Sequence, residues 1–438
     1  MAYIAVLDCN NFFVSCERLF RPDLRRRPVA VLSSNDGCIV ARSQEIKDNG
    51  IGVGVPYFEV KDILKDIGAV CFSSHFALYR DISRRVFSVV KSYCGQIEQY
   101  SIDEAFFIVP ATSAKDTRQY VVTLKETVER LVGIPVSIGV SDTKTRAKRV
   151  NAYAKRNGGI GVFAGHDFLT EFGATPLGDI WGVGRQLVVA YKEAKLHSIN
   201  DLLAAPTPRI AKLFHKNGVQ LQAELSGQAV YQVTQSISIP KSLMSTRSFG
   251  EKTNNLATIN DALAYHVRFV CEDLRAQDLV ASGLQVILYT SRHGDWRGYS
   301  GSVSVVFEVP TAMTTTALNE ALKALRQLYQ PQVPYTKTGV VAFGLMPTTF
   351  VPQSLFAAAN TMTNTSEVVD EMVDILNHRY GRDTIKLGMF AKTPTWQTKI
   401  ALRSPAYTTE WQALKIVRAW VESCIRDVRS LEIFKLKT

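Results

Sequence analysis

The order of strand and helix signals along the chain constrains its fold more than any other feature. Up to residue 140, apolar runs predict strands and helically spaced apolar positions predict helices, with strands at 3–7, 100–109 and 134–140 and helices near 78–94 and 116–132. A second block has strand signals near 246–250, 283–290, 300–308 and 338–346 and helix signals near 259–279 and 315–329. Both blocks are typical of the split β-α-β arrangement of ferredoxin-like domains. We therefore expect an α+β protein with two such domains, although no obvious sequence repeat relates them.

The segments around these blocks differ in character. Residues 17–60 are rich in turn signals, which predicts a small, loop-rich subdomain. The motif IWGVGR at 180–185 lies between helical patterns and predicts a helix, a glycine-rich hairpin and another helix. The polar composition of 232–246 and 347–366 predicts linkers. From there to Thr438 the chain holds short helical patterns and basic residues.

Composition narrows the class of protein. The chain has 438 residues, 46% of them hydrophobic and 21% charged, which excludes wholesale disorder and collagen-like repeats. Its formal net charge of +11 favours a polyanionic partner, nucleic acid before membrane. The seven cysteines are scattered and form no CxxC pair, so neither a disulfide framework nor a zinc ribbon is expected. We expect a cytoplasmic protein without a signal peptide or membrane span.

Three carboxylates stand out as candidates for chemistry. Asp8 follows the first predicted strand, and Asp103 and Glu104 interrupt the strand pattern of 100–109. Acids at neighbouring strand ends suit Mg²⁺, which prefers hard oxygen ligands, and a pair of such ions catalyses phosphoryl transfer. The alternative is that Asp8 caps a helix and that Asp103 and Glu104 lie in a solvated turn. The pattern alone leaves both interpretations open.

Several sequence blocks resemble those of Y-family DNA polymerases. They occur in the same order as in the family, and together they extend over about 410 residues. The blocks are LDCNNFF (7–13), SNDGCIVAR (34–42), YSIDEAF (100–106), TKT (143–145), AK (154–155), IWGVG (180–184), RSFGE (247–251), GRDT (381–384) and SPAYTT (404–409). The second block resembles the UmuC type, to which the catalytic subunit of bacterial DNA polymerase V belongs.

The resemblance implies a multidomain right-hand polymerase that performs low-fidelity translesion synthesis in the SOS DNA damage response. It implies a ferredoxin-like palm (1–18 and 76–166), small fingers (19–75), a helix-hairpin-helix thumb (167–235), a ferredoxin-like little finger (243–346) and a C-terminal tail with partner motifs (347–438). Asp8, Asp103 and Glu104 are the implied catalytic residues. Together with the backbone carbonyl of Cys9, they are also the implied ligands of two Mg²⁺ ions, for which Mn²⁺ is expected to substitute.

The resemblance also implies contacts with the incoming nucleotide. These are expected from Asn10, Asn11, Phe12, Phe13, Arg42, Lys47 and Lys155. Phe13 occupies the steric-gate position, where an aromatic ring excludes a ribose 2′-hydroxyl; the UmuC type usually has tyrosine there. The family's Tyr-x-x-Arg arrangement in the fingers is altered, with Gln44 and Lys47 at the apparent equivalents. From pattern alone, Phe12 and Phe13 would be assigned to core packing.

Contacts with primer-template DNA are expected from four further residues. Glycines at 182 and 184 let backbone N–H groups approach a phosphate, and the basic run 142–156 is expected to attract phosphates. The DNA-binding residues are Gly182, Gly184, Arg185 and Arg247.

The segment 351–356 resembles a sliding-clamp motif, with Gln353, Leu355 and Phe356 as its anchors, although it is one residue short. By resemblance, a UmuD-type dimer and RecA are expected partners. Beyond Thr409 the spacing of apolar residues from Trp411 to Ile425 predicts an amphipathic tail helix, which either binds a partner protein or packs on the body of the protein.

Two alternatives belong to other classes of protein. A non-catalytic DNA-binding scaffold subunit would keep the fold, but it would not need all three carboxylates. A nucleotide cyclase with a palm fold would need neither the helix-hairpin-helix nor the second ferredoxin-like domain. The prediction is therefore a DNA-directed DNA polymerase.

Overall fold

The computed structural model describes residues 3–110, 113–234, 239–291, 299–351, 361–381, 384–386 and 395–413. It contains three sheets of five, four and three strands, with helices packed around them. Within this part of the chain, no helix combines the length and the apolar character needed to cross a bilayer.

The N-terminal part forms two of these sheets. Its elements are, in chain order, β1 (Tyr3–Cys9), α1 (Phe12–Phe20), β2 (Val29–Leu32), β3 (Ile39–Arg42), α2 (Gln44–Asp48), α3 (Tyr57–Asp66), β4 (Val70–Ser73), α4 (Phe76–Cys94), β5 (Ile97–Gln99), β6 (Glu104–Val109), α5 (Ala114–Val132), β7 (Val136–Ser141), α6 (Lys144–Ala154) and β8 (Ile160–Val162). The first sheet has the order β5-β6-β1-β7-β8, and the second sheet, β3-β2-β4, is inserted between α1 and α4.

The strand predicted at 100–109 is shorter in the structure, because residues 100–103 form the turn of a hairpin between β5 and β6. The backbone N–H of Ser101 donates to the carbonyl of Glu104 at 3.1 Å, and the N–H of Asp103 donates to the hydroxyl of Ser101 at 3.2 Å. This turn separates β5 from β6 and leaves Asp103 and Glu104 at the start of β6. A short polar side chain that bonds its own backbone competes with a continuous strand in this way.

The first sheet is covered on both faces. Ala5 and Leu7 of β1 join the core formed with α1, α4 and α5, while Ile4 and Val6 face a smaller apolar cluster with Ala147 of α6. Residues of a strand alternate between faces, so a strand that is covered on both sides is apolar throughout. Helix α6 crosses β7 so closely that a Cβ at Gly139 would lie 2.2 Å from the backbone nitrogen of Asn151.

The helical region between the first and third sheets departs from its prediction. It consists of α7 (Gly165–Phe172), α8 (Arg185–Glu193), α9 (Ile199–Ala204) and α10 (Thr207–Ser226). The helix expected directly before the glycine hairpin is only a 3-10 turn, Leu177–Asp179. Gly173, Pro176 and Gly178 explain the difference, since glycine and proline both disfavour a longer helix.

The third sheet has the predicted element order. Its elements are β9 (Ser242–Thr253), α11 (Leu256–Arg275), β10 (Leu279–Tyr289), β11 (Ser300–Thr311), α12 (Thr314–Leu328) and β12 (Tyr335–Pro347), and α13 (Thr361–Tyr380) follows. In the first sheet the hairpin strand β6 lies between β1 and β5, as in a ferredoxin-like domain, but in the third sheet the last strand, β12, lies between β9 and β10. The third sheet therefore has the predicted element order without the ferredoxin-like strand order. Two linker limits were wrong, because 242–246 belongs to β9 and 361–366 belongs to α13.

Residues 395–409, which we call the strap, lie on the body of the protein and not in a free tail. Trp396 is buried in the core of the third sheet, and Tyr407 is buried in the core of the first. The strap therefore runs from one domain to another. Its apolar side chains contribute to two separate cores, whereas the sequence predicted a C-terminal tail in this region.

Candidate active site

The antiparallel register of β1 and β6 brings the three predicted acids to one edge of the first sheet. Asp8 is paired directly with Glu104 across the two strands. Just beyond that pair, the backbone N–H of Cys9 donates to the carbonyl of Asp103 at 2.9 Å. Residues directly opposite on antiparallel strands have Cβ atoms close enough for their side chains to meet.

The Asp8 and Glu104 carboxyl groups share a hydrogen bond and are each paired with a lysine. Lys155 Nζ lies 2.7 Å from Asp8 Oδ1, and Lys148 Nζ is bonded to Glu104 Oε2. Burial and the hydrogen bond with Glu104 raise the pKa of Asp8 to about 7. Burial opposes ionisation of Glu104 as well, but its hydrogen bonds with Asp8 and Lys148 leave its pKa lowered. The contact between the two carboxyl groups therefore favours the protonated form of Asp8 and the ionised form of Glu104.

The carboxylates of Asp8, Asp103 and Glu104 are suitable ligands for a hard divalent cation, although the three side chains do not converge on one point. Asp103 accepts a hydrogen bond from the hydroxyl of Ser101 at 2.5 Å. Across the described residues, no three side chains of histidine, cysteine, aspartate or glutamate are grouped closely enough to hold a metal. The three carboxylates and nearby backbone carbonyls are the oxygen ligands that Mg²⁺ prefers.

A cleft of about 280 Å³ opens beside the acids and is lined by most of the predicted nucleotide residues. Its lining comprises Asp8, Cys9, Asn11, Phe12, Phe13, Val40, Ala41, Arg42, Lys47, Val53, Asp103 and Lys155. Arg42, Lys47 and Lys155 bring three cations into it, and burial followed by repulsion from Arg42 and Lys155 lowers the pKa of Lys47. A wall with three cations beside carboxylates suits a triphosphate that carries metal ions.

Of the predicted nucleotide-binding residues Asn10, Asn11 and Phe12, two line the cleft and one does not. Asn11 begins α1 in a left-handed conformation (φ 47°), and its side-chain oxygen accepts from Lys47 Nζ at 2.6 Å. Asn10 does not line the cleft, because its side chain accepts from the hydroxyl of Ser137. Phe12 reaches the cleft but is almost fully buried in the first core, as its pattern alone suggested.

Phe13 is less buried than Phe12 and is held by two aromatic rings of α4. Its ring stacks on Tyr79, with centroids 4.5 Å apart and planes within 13° of parallel. The edge of Phe76 meets the Phe13 ring at 5.8 Å. Offset stacking and edge contacts are the favoured geometries of aromatic pairs, so the Phe13 ring has a fixed orientation at the cleft wall.

Much of the basic run 142–156 is structural, which corrects the expectation that it attracts phosphates as a whole. Lys144 and Arg146 are buried and bonded to Glu98 and Asp142 respectively, and Arg146 also donates to the carbonyl of Leu225. A charged group that is buried with its partner cannot contact DNA. Lys155 is half-exposed and remains available to a ligand.

Sequence analysis missed two side chains that hold the predicted acids, Lys148 and Ser101. Lys148 lies seven positions before Lys155, which is two helical turns, so both lysines share a face of the segment that begins with α6. That spacing was a usable signal. The bond between Ser101 and Asp103 was also accessible in principle, because serine two positions from aspartate often closes a local turn.

The predicted DNA-binding residues lie away from the cleft, on exposed surfaces. Gly182 (φ 90°) and Gly184 flank the turn before α8, and a Cβ at either position would meet no other atom. Arg185 begins α8, and Arg247 lies exposed on β9 near the ring of Tyr265. Gln353, Leu355 and Phe356 lie outside the described residues, as does the apolar tail face beyond residue 413.

Family models and known proteins match most of the chain. The impB/mucB/samB family matches residues 7–152, its C-terminal domain matches 240–355, and a domain of unknown function (DUF4113) matches 368–417. UmuC of Salmonella typhimurium is 30% identical over 94% of this chain and 100% of its own length, and SamB of the same species is 31% identical over 93% and 97%. DNA polymerase IV 1 of Bacillus subtilis is 24% identical over 90% of this chain and 94% of its own.

A solved structure shares the fold at low sequence identity. A chimeric Y-family DNA polymerase (Dbh-Dpo4-Dbh) is 18% identical, with a TM-score of 0.64 over 79% of this chain and 99% of its own. The first sheet, the second sheet, the helical region and the third sheet are accordingly the palm, fingers, thumb and little finger of a right-hand polymerase. The chain belongs to the impB/mucB/samB family, the UmuC type of Y-family translesion DNA polymerases.

Proposed function

We propose that this polymerase extends a primer 3′ end in the cleft beside Asp8, using a template strand and deoxynucleoside triphosphates, and that it acts on damaged DNA in the SOS response. One observation carries the proposal. Asp8 and Asp103 line the same cleft that Arg42, Lys47 and Lys155 line with positive charge, and the register of β1 and β6 pairs Glu104 directly with Asp8. Carboxylates beside three cations fit a reaction between a metal-bound triphosphate and a hydroxyl group.

Y-family polymerases generally depend on divalent metal ions, and the oxygen-rich edge fits such ions. We assign two Mg²⁺ ions, with Mn²⁺ as a substitute, to Asp8, Asp103, Glu104 and the backbone carbonyl of Cys9. When bound, these ions would activate the primer hydroxyl and stabilise the leaving pyrophosphate. The chain's own part is to release Asp8 from Lys155 and Glu104 from Lys148, so that both carboxylates can serve as ligands.

Lys155 has a second task once Asp8 has another cation beside it. Its side chain is 41% exposed and lies at the cleft, so it can turn to the triphosphate as a point charge. Arg42 and Lys47 line the same cleft. Buried Arg42 Nε has no hydrogen-bond partner within the described residues, which leaves a donor for a phosphate oxygen. Phe13 would exclude a ribose 2′-hydroxyl by occupying its space.

A DNA polymerase binds DNA and nucleotides, and the contacts with DNA can be assigned to exposed residues. We propose phosphate contacts by the Gly182–Gly184 turn, Arg185 and Arg247. We also propose the domain limits given above from sequence, a UmuD-type dimer and RecA as partners, and clamp binding through Gln353, Leu355 and Phe356. The cysteines in the described part of the chain are free thiols, which supports a reducing, cytoplasmic location.

Primer extension with Mg²⁺ tests the proposal directly. We compare the native chain with Asp103→Ala on an undamaged template and on one with an abasic site, and Asp66→Ala at the exposed end of α3 is the matched control. Extension by the native chain and the control but not by Asp103→Ala supports the assignment. Extension that survives Asp103→Ala would place the metal ligands elsewhere. Inactivity of all three, even with a UmuD-type dimer and RecA added, would favour the scaffold alternative.

A further inference from the structure

The strap begins in the core of the little finger. The Trp396 side chain is 3% exposed, and its Nε1–H donates to Asp261 Oδ2 at 2.6 Å. The backbone N–H of Gly250 donates to the Trp396 carbonyl at 3.3 Å. A Cβ at Gly250 would lie 2.4 Å from the carbonyl oxygen of Gln397, so glycine is required for this approach.

The strap next bonds to the fingers. Asn35 accepts from the backbone N–H of Lys399 at 2.8 Å and donates to the Phe249 carbonyl of the little finger, also at 2.8 Å. Asp36 accepts from the N–H of Ala401 at 3.2 Å. Asn35 and Asp36 both have positive φ angles, of 61° and 50°, a conformation that asparagine and aspartate adopt more readily than other non-glycine residues. The contact between the strap and the fingers is therefore made by two neighbouring side chains of one turn.

The strap ends against helix α1 of the palm, which also carries Phe13. Tyr407 stacks on Phe20 at the last residue of α1, with centroids 4.6 Å apart and planes 7° from parallel. The hydroxyl of Ser404 donates to Glu17 Oε1, in the middle of α1, at 3.2 Å. Two strap residues therefore contact the helix whose second residue is Phe13.

Ser404 belongs to a buried chain of hydrogen bonds under the Phe13 ring. His75 Nδ1 lies 3.0 Å from the Ser404 hydroxyl, and the Tyr79 hydroxyl donates to Glu17 Oε1 at 2.7 Å. Because Ser404 donates to Glu17, its oxygen accepts from His75. All four residues are buried, and the Tyr79 ring is the one on which Phe13 stacks.

We propose that the strap is part of the sugar-selecting machinery, with Ser404 as a positioning residue that holds Glu17 and Tyr79 and, through them, the ring of Phe13. The inference rests on the proposed role of Phe13 as the steric gate. It gives the region that matches a domain of unknown function a task at the nucleotide site.

The physical reason lies in the bonding of Glu17. Its Oε1 accepts from Ser404 and Tyr79, while its buried Oε2 has no hydrogen-bond partner in the described part of the chain. Without the Ser404 hydroxyl, this carboxylate keeps only the Tyr79 bond and must move or admit water. Tyr79 moves with it, and the ring stacked on Tyr79 loses its support. A group that discriminates by contact has to be held within about 0.5 Å.

The test measures kcat/KM for a deoxynucleotide and for the matching ribonucleotide in single-nucleotide primer extension. Phe13→Ala comes first, because a ratio unchanged by that variant would refute the steric gate itself. Given a functional gate, we expect Ser404→Ala to lower the ratio of deoxynucleotide to ribonucleotide about tenfold, with most of the change in ribonucleotide use. Ser404→Thr keeps the hydroxyl and should restore the ratio.

Two further variants separate positioning from general weakening of the strap. Ser73→Ala removes a bond that the strap N–H of Leu402 makes at 3.0 Å, but it leaves the Glu17 network intact, so its ratio should equal that of the native chain. Tyr79→Phe removes the other donor to Glu17, and its effect should not add to that of Ser404→Ala, because both act through one carboxylate. An unchanged ratio in Ser404→Ala overturns the inference, as does an equal fall in Ser73→Ala. If Ser404→Ala fails to fold, an unchanged ratio in Tyr79→Phe overturns it.

Discussion

Acid should weaken the little finger through a single buried histidine, His266 of α11. Its side chain is 2% exposed, and Nδ1 lies 2.8 Å from the hydroxyl of Ser245. Burial, and then the nearby charges of Arg247 and Lys337, lower the pKa of His266 to about 3 from an ordinary value of 6.5. The Trp396 and Tyr265 rings pack against it, so a proton there has no acidic partner among its ring neighbours.

Because the pKa of His266 is lowered in the folded protein, acid destabilises the fold. A folded-state pKa below the unfolded one means that the unfolded chain binds more protons, so stability falls as the pH drops through 6.5 towards 3. At about 1.36 kcal/mol per pKa unit, the free energy of unfolding should fall by about 2 kcal/mol between pH 7 and pH 5 from this group alone.

Native-state hydrogen exchange of the α11 amides, corrected for intrinsic exchange rates, measures the pH dependence of the local free energy of unfolding. The His266→Gln variant keeps a polar side chain that does not titrate, and its α11 amides should lose about 2 kcal/mol less protection over the same pH range than those of the native chain. His75, whose pKa burial and Arg403 lower to about 4, is present in both proteins and cancels in the comparison. Equal pH dependence in the two proteins would refute the argument.

Three further outcomes follow from contacts in the palm. Lys155→Ala should raise KM for the incoming nucleotide about tenfold in steady-state extension, because it removes a point charge from the cleft; an unchanged KM would contradict its assignment to the triphosphate. Gly139→Ala should lower the free energy of unfolding by about 3 kcal/mol in urea titrations, since its Cβ would meet the backbone of α6 at 2.2 Å, whereas Gly184→Ala, with open space around it, should be neutral. Lys144→Met should cost about 2 kcal/mol of stability, because Glu98 loses its lysine and keeps only the backbone N–H of Thr234, yet leave the salt dependence of DNA affinity unchanged; a shallower salt slope would show that Lys144 contacts phosphate after all.

The parts of the fold that sequence predicted are those set by short-range pattern. Apolar runs and helical spacing located the elements of both β-α-β-β-α-β blocks, because strands and helices have distinct side-chain periods. The lateral order of the strands was not accessible in this way. In the third sheet, β12 lies between β9 and β10, an arrangement decided by how helices pack on the sheet and not by any local signal.

The candidate site shows the same division. Asp8, Asp103 and Glu104 were identifiable because acids at strand ends interrupt apolar runs, and the register of β1 and β6 brings them together. The inward-facing Lys144 and Arg146 were misjudged, because a charge count along the chain carries no information on burial. The contacts of the strap were missed for a different reason, although its residues 404–409 matched a family block. Its contacts are made by single residues such as Trp396 and Ser404, each with a partner far away in sequence.

The bond between Glu17 and Ser404 joins residues 387 positions apart, and this has a consequence for biosynthesis. At about 5 to 20 residues per second, a ribosome makes Ser404 roughly 20 to 80 s after Glu17, so the palm and fingers emerge long before the strap can close on them. A nascent or prematurely terminated chain would then carry the acids and the aromatic ring without their final support. Completion of translation would be the step that converts a folded but indiscriminate nucleotide pocket into a selective one.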